Sequence, residues 1–254
     1  MRIIRTDNYD ALCKIAADII TAQILLKPNC VLGLATGSSP VGVYKMLVQK
    51  HRDEHLDFSR VRSFNLDEYV GLSPNQEQSY AWFMSEHLFK HINILPANTD
   101  IPNGIAENIQ NECDRYDAKI TSCGGIDLQL LGIGQNGHIG FNEPSSSFTC
   151  GTNHTRLSDS TIKANKQYFE TGKRIPTHAI TMGCRDILQS KRALMIALGD
   201  NKALAVRDML TGPITPMVPA SILQLHRDFT LIADGAALSK LENHKLAVNT
   251  LTSP

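Results

Sequence analysis

The chain has 254 residues, with 25 lysines and arginines against 25 aspartates and glutamates, so its formal net charge is zero. Hydrophobic residues make up 42% and charged residues 20%, a balance that excludes a disordered chain. With no basic excess, overall or as a run, neither nucleic acid nor an anionic membrane surface is expected as a partner.

In chain order, Leu12, Ile15, Ala16, Ile19 and Ile20 form one stripe of a predicted helix over residues 9–26, stopped by Lys27-Pro28-Asn29. A buried strand over Cys30–Ala35 runs into the turn Thr36-Gly37-Ser38-Ser39-Pro40 and a helix over 41–50. Val61–Leu66 reads as the next strand, followed by a helix near 78–90, a Pro/Asn-rich connection at 95–104 and a helix near 107–121. Ile126–Ile133 is the longest strand candidate; later strands are expected near 178–181, 192–198 and 229–233, with helices near 183–189, 201–211 and 219–226. Strand, loop and helix repeated in this way predict an α/β fold: an open, mostly parallel twisted sheet with helices on both faces. One domain spanning residues 1–254 is expected. Its segment 144–177, poor in apolar residues, is read either as a mobile lid or as a solvated excursion without a role.

The six cysteines contain no C-x-x-C pair, and no metal-type spacing. The first residues, Met-Arg-Ile-Ile-Arg-Thr-Asp, lack the apolar run of a secretion signal, and the longest apolar run, Ala193–Leu198, is too short to span a bilayer. Reduced cysteines and a cytoplasmic location are therefore expected.

Ligands of open α/β sheets bind beyond the carboxyl ends of the strands. Four such ends carry polar chemistry here. At Gly37-Ser38-Ser39-Pro40 a helix begins, which either receives an anion on free N–H groups or is simply capped by Ser39. At Asn65-Leu66-Asp67-Glu68-Tyr69 two adjacent carboxylates are either base or turn. Residues 132–137 match G-x-G-x-x-G, but Gly140 and Pro144 interrupt any following helix and no sugar-binding acid follows, so a dinucleotide is not expected. That loop instead presents Asn136, His138 and Glu143 together, and an imidazole held by a carboxylate is a proton-transfer device. At Gly199-Asp200-Asn201-Lys202 a lysine opens a helix, unfavourably for the helix dipole unless an anion meets it. The pairs His51/His55 and His87/His91 have metal-compatible spacing but no third ligand; they are read as structural, at helix ends away from the catalytic edge.

These pieces, LGLATGSSP at 32–40, SFNLDEYVGL at 63–72, LGIGQNGHIGFNEP at 131–144 and LGDNKALAV at 198–206, resemble the glucosamine-6-phosphate deaminase (isomerase) family. Related folds, among them the 6-phosphogluconolactonases and non-catalytic sugar-phosphate sensors, share the plan but not the second and third motifs together. The resemblance implies a Rossmann-like fold and conversion of glucosamine 6-phosphate and water to fructose 6-phosphate and ammonia, with no metal or other cofactor. It implies that Asp67 moves a proton from C2 to C1, that His138 opens the pyranose ring with Glu143 as partner, and that Gly37, Ser38, Ser39 and Lys202 hold the phosphate.

Three departures stand out. Position 136 is Asn where a hexameric family member has an aspartate, so His138 is expected to rely on Glu143 alone for carboxylate support. The family's Ala-Asn-x-Arg reads Ala164-Asn165-Lys166-Gln167, so Lys166 or Lys163 is expected to supply the phosphate charge that Gln167 cannot. The chain ends soon after residue 250, and basic residues of the hexamer's activator site are missing around Asn153 and Thr155. A monomer or small homo-oligomer, not activated by N-acetylglucosamine 6-phosphate, is therefore expected.

Overall fold

The first strand, β1 (Arg2–Thr6), leads into α1 (Tyr9–Leu26) in the computed structural model, which describes residues 1–166, 169, 175–241 and 248–250. The stripe read from the sequence is the buried face of α1: Leu12, Ala16 and Ile20 are wholly inaccessible, and Asn8 caps the helix by accepting the Ala11 N–H. Strand β2 (Val31–Leu34) follows, then α2 (Val41–Glu54), β3 (Arg62–Asn65), β4 (Asp67–Tyr69), α3 (Tyr80–His87), β5 (Thr99–Asp100), α4 (Ile109–Ser122) and β6 (Leu128–Leu131). Beyond them come β7 (Asn153–Arg156), α5 (Asp159–Asn165), β8 (His178–Thr181), α6 (Cys184–Gln189), β9 (Ala193–Ala197), α7 (Ala203–Thr211), β10 (Phe229–Asp234) and β11 (Val248–Thr250).

Eight strands form one sheet in the order β11-β1-β10-β9-β6-β2-β3-β5, every pair parallel. Both faces are covered, so central strands are continuously apolar instead of alternating: Ala193–Ala197 is buried throughout. Leu32 and Leu34 pack with Leu12, Val43 and Leu47 under α1 and α2, while Val31 packs with Tyr116 and Ile120 of α4 on the opposite face. From β2 the sheet grows towards β3 and β5, and from β6 it grows the other way towards β9 and β10. The β2–β6 boundary is therefore where the winding reverses, and the place an α/β sheet opens a crevice.

A second sheet, β4-β8-β7, is antiparallel, with Asp67 opposite Thr181 and Asn153 also opposite Thr181. It was not anticipated. Residues 178–181 are the expected strand, but belong to this small sheet. Part of the segment 144–177 is likewise regular: 153–156 is β7 and 159–165 is α5. Residues 219–226, expected as an α-helix, form a 3-10 helix over Pro219–Leu225 opened by its proline. Cys13, Cys30, Cys113 and Cys184 are buried free thiols, Cys123 is half-buried and Cys150 exposed.

Candidate active site

A cavity of about 770 Å³ opens beyond the carboxyl ends of β2 and β6. Asp67, Asn136, His138, Lys202 and the Gly37–Ser39 turn all line it. Glu143 does not: it stands one layer behind, against His138.

The turn after β2 reaches the cavity with Gly37 at φ +95°, a left-handed conformation that favours glycine. Helix α2 starts at Val41, and its N-cap residue, Pro40, makes no side-chain capping bond. The alternative of a Ser39 cap is therefore not what the fold uses, and the helix N-terminus keeps donors for an anion. Lys202 ends a 3-10 turn over Asp200–Lys202 after β9 and forms no ion pair with a described residue. Burial lowers its pKa from the usual lysine value, the direction expected of an ammonium in a pocket without a counter-charge.

Asp67 opens β4 and is only 6% exposed. Burial, then the neighbouring Glu68 charge, pushes its carboxyl up to about 8. Glu68 is also raised by burial, to about 7, against three backbone donors: the N–H groups of Tyr69 and Tyr80 bond Oε1 at 2.8 and 2.9 Å, and that of Ala81 bonds Oε2 at 2.9 Å. The two adjacent carboxylates thus divide the work. Glu68 pins the first turn of α3 to β4, and Asp67 remains facing the cavity. With α3 held there, Tyr80, Trp82, Phe83 and His87 form an aromatic wall of the cavity that the sequence did not disclose. The expectation that His87 lies away from the site is corrected: it lines the cavity, its ring 4.4 Å from that of Phe83. The other histidines of those pairs are structural in their contacts. His51 Nδ1 is 2.7 Å from Leu56 O, His91 Nε2 is 2.9 Å from Glu86 O, and His55 is the left-handed residue ending α2.

The glycine-rich loop after β6 curls back on itself through Gly134 N–H to His138 O at 2.9 Å. A Cβ at Gly134 would lie 2.4 Å from the His138 ring, so the imidazole rests directly on bare backbone. Asn142 lashes the loop to the end of β8, donating to Ile139 O and Met182 O, and Phe141 N–H bonds Thr181 Oγ1. Gly140, at φ +56°, approaches so closely that a Cβ there would sit 3.4 Å from Asp67 Oδ2. Residues 73 positions apart in sequence are thereby brought to one spot, Asp67 beside the His138 loop.

Behind His138, Glu143 Oε2 stands 3.4 Å from Nδ1, an ion-pair distance; Nδ1 has no closer hydrogen-bond partner. Glu143 Oε2 also accepts Asn136 Nδ2 at 2.8 Å, while Oε1 accepts Ser158 Oγ at 3.1 Å and Thr161 Oγ1 at 2.5 Å. Burial pushes the Glu143 carboxyl up, but His138, Thr161 and Asn136 together outweigh it and hold it down at about 2. Asn136 supplies a donor where a carboxylate would repel, and its Oδ1 accepts the His138 N–H at 3.2 Å. Ser158 and Thr161 were not foreseen: they come from the start of α5, which Ser158 caps. That same end of α5 lines the cavity through Ser160 and Thr161, whereas Lys163 and Lys166 are exposed and lie outside its lining. Gln167 falls outside the described residues. Among the described residues, no group of three or more His, Cys, Asp or Glu side chains is placed to hold a metal, and no helix is long and apolar enough to cross a membrane.

Comparison with known proteins places the chain among described families. The profile of the family described as glucosamine-6-phosphate isomerases/6-phosphogluconolactonase matches residues 5–232. Glucosamine-6-phosphate deaminase of Lachnoclostridium phytofermentans is 55% identical over 232 residues, covering 91% of this chain and 98% of that protein. The protein of the same name in Clostridioides difficile is 53% identical over 241 residues, covering 95% and 97%. A solved structure, that of a monomeric glucosamine-6-phosphate deaminase, superposes with a TM-score of 0.92 at 44% identity, covering 94% of this chain and all of that one.

Proposed function

The chain belongs to the glucosamine-6-phosphate isomerase/6-phosphogluconolactonase family, and from that premise we propose that it is a deaminase of glucosamine 6-phosphate. Substrate and water give fructose 6-phosphate and ammonia. The observation that carries this reading is Asp67, a buried carboxylate with a raised pKa, set against the His138 loop in a cavity whose other end is a helix N-terminus with no cap from its own N-cap residue.

The phosphate sits on the Gly37-Ser38-Ser39 turn, with Lys202 supplying charge. This fixes C1 and C2 at the far end of the cavity. His138 takes the proton of the C1 hydroxyl and returns one to the ring oxygen, opening the pyranose to the aldehyde. Glu143, held ionised by His138, Thr161 and Asn136, orients the imidazole from behind. Asp67 then removes the C2 proton while the C1 oxygen takes a proton, giving an enolamine. Asp67 delivers its proton to C1 as the nitrogen lone pair forms the C2 iminium, which water hydrolyses to the ketone with release of ammonium. One group that both accepts and returns a proton works best with a pKa near the operating pH, and burial beside Glu68 moves Asp67 in that direction. A lactonase would need no base for C2.

The protein acts in the cytoplasm as a monomer or small oligomer, without activation by N-acetylglucosamine 6-phosphate. Support for the monomer comes from its 44% identical neighbour. The test is to incubate purified protein with glucosamine 6-phosphate and follow ammonia and fructose 6-phosphate. Turnover of galactosamine 6-phosphate or of a sugar lactone, with none of glucosamine 6-phosphate, would overturn the reading.

A further inference from the structure

Helix α2 presents its N-terminus to the anion site without any side-chain cap of its own. A residue from elsewhere does the work of a cap. The Tyr9 hydroxyl, from the first turn of α1, accepts the Gly42 N–H at 2.8 Å. The same oxygen lies 3.0 Å from Ser39 O and 3.3 Å from Ser38 O, and its single O–H is shared between them. One phenol thus grips the turn from behind at both ends, on the carbonyls before the helix and on an amide inside it.

One further feature supports a built contact. A Cβ at Gly42 would come within 2.5 Å of Cys13 Sγ and 2.9 Å of Tyr9 Oη, so the first turns of α1 and α2 touch with no room for a side chain. Peptide geometry gives the contact a consequence. The C=O and the following N–H of a trans peptide point in opposite directions. With the Ser38 carbonyl turned to Tyr9, the Ser39 N–H is turned away from it.

We propose that Tyr9 is a positioning residue for phosphate recognition: its hydroxyl locks the Gly37–Ser39 turn in the conformation that presents donors to the phosphate of the substrate. The inference rests on the reading of this turn as the phosphate site. Burial raises the Tyr9 pKa above its ordinary value, so the hydroxyl stays a neutral donor throughout the neutral range. Tyr9 lies outside the cavity lining and does not touch the reacting carbons. Its effect therefore belongs in binding, not in the chemical step.

The test is Tyr9→Phe, which deletes one oxygen and keeps the ring. Two quantities are read: the KM and kcat of glucosamine 6-phosphate turnover, and the Kd of inorganic phosphate followed by NMR titration. Loss of this hydrogen bond should raise KM and the phosphate Kd together by about 3- to 10-fold with kcat within about twofold. Gly42→Ala, which drives a methyl against the Tyr9 hydroxyl, should give the same split. A lowered melting temperature with KM and Kd unchanged would mean a purely structural contact and would overturn the proposal, as would a fall in kcat with KM unchanged. Because the phosphate titration needs no turnover, it separates the outcomes: a wild-type protein inert towards glucosamine 6-phosphate sinks the functional reading, whereas equal phosphate affinity of Tyr9→Phe and wild type sinks the role of Tyr9.

Discussion

Asp67 is an acid that the fold holds against its own preference, and Asp67→Asn should expose the cost. Its carboxyl is pushed from the usual 3.8 to about 8 by burial and by Glu68. An acid with a raised folded-state pKa binds protons more tightly in the native protein than in the unfolded chain. Stability therefore falls as pH rises through the interval between the two values, and the whole penalty is absent below the lower one. Each tenfold change in proton affinity is worth about 1.4 kcal/mol, so at pH 7 the native state carries a penalty of about 4 kcal/mol from this one group. Asn removes the charge but retains a buried polar group, so the net gain should be smaller, about 1–3 kcal/mol. For a chain of this length that raises the melting temperature by about 3–10 °C. The assay is urea unfolding of both proteins from pH 4 to pH 8, beside a measurement of C2 proton exchange. The variant should be inactive in exchange, more stable than wild type at pH 7–8, and lose that advantage towards pH 4. A variant less stable than wild type at pH 8, or a stability difference that ignores pH, would refute the argument that Asp67 is an uncompensated buried carboxylate.

The remaining expectations concern the chemistry. If Asp67 must be ionised to take the C2 proton, exchange should rise with pH through the neutral range and level off near its value of about 8; a rate flat from pH 6 to pH 8 would remove it as the base. Glu143→Gln should lower kcat by about 10²–10⁴ with little change in KM, because Glu143 supports His138 from behind the cavity wall; steady-state kinetics decide, and an unchanged kcat would contradict the pairing. Gly134→Ala should displace the His138 ring and cut kcat by about tenfold or more, while circular dichroism shows the fold retained. Lys202→Ala should raise KM, whereas Lys163→Ala and Lys166→Ala, exposed and outside the cavity lining, should not; a KM effect at either would restore the expectation read from the sequence.

Much of the scaffold follows from short-range pattern. The helical stripe of residues 9–26 and the apolar run of 193–197 are legible because packing on one face or on both leaves a periodicity in the chain itself. Strand β4 is not legible. Asp-Glu-Tyr has poor strand propensity and two charges, and it is extended only because β8 pairs with it and because Glu68 is satisfied by N–H groups from α3. For the same reason residues 178–181 are readable as a strand but not as part of an antiparallel second sheet: local propensity does not say which edge a strand finds. The 3-10 helix at Pro219–Leu225 shows the converse, an apolar segment with helical spacing that tightens where its proline starts it.

The chemical groups were present in the sequence: a carboxylate after one strand, a histidine and glutamate in a glycine loop after another, and a serine turn opening a helix. Those depend on residue type and spacing, which covalent order determines. Whether the groups act together was decided only by the tertiary structure. Gly140 sets the His138 loop against Asp67, α3 closes one wall, and α5 brings Ser158 and Thr161 to Glu143 while carrying Lys163 and Lys166 away. The proton affinities were decided there too. Desolvation and charge act through space over a few ångströms, between side chains whose neighbours in the fold are remote in the chain. So the sequence determined which acids and bases this protein has, and only the folded structure determined that one carboxylate would be raised to about 8 and another held at about 2.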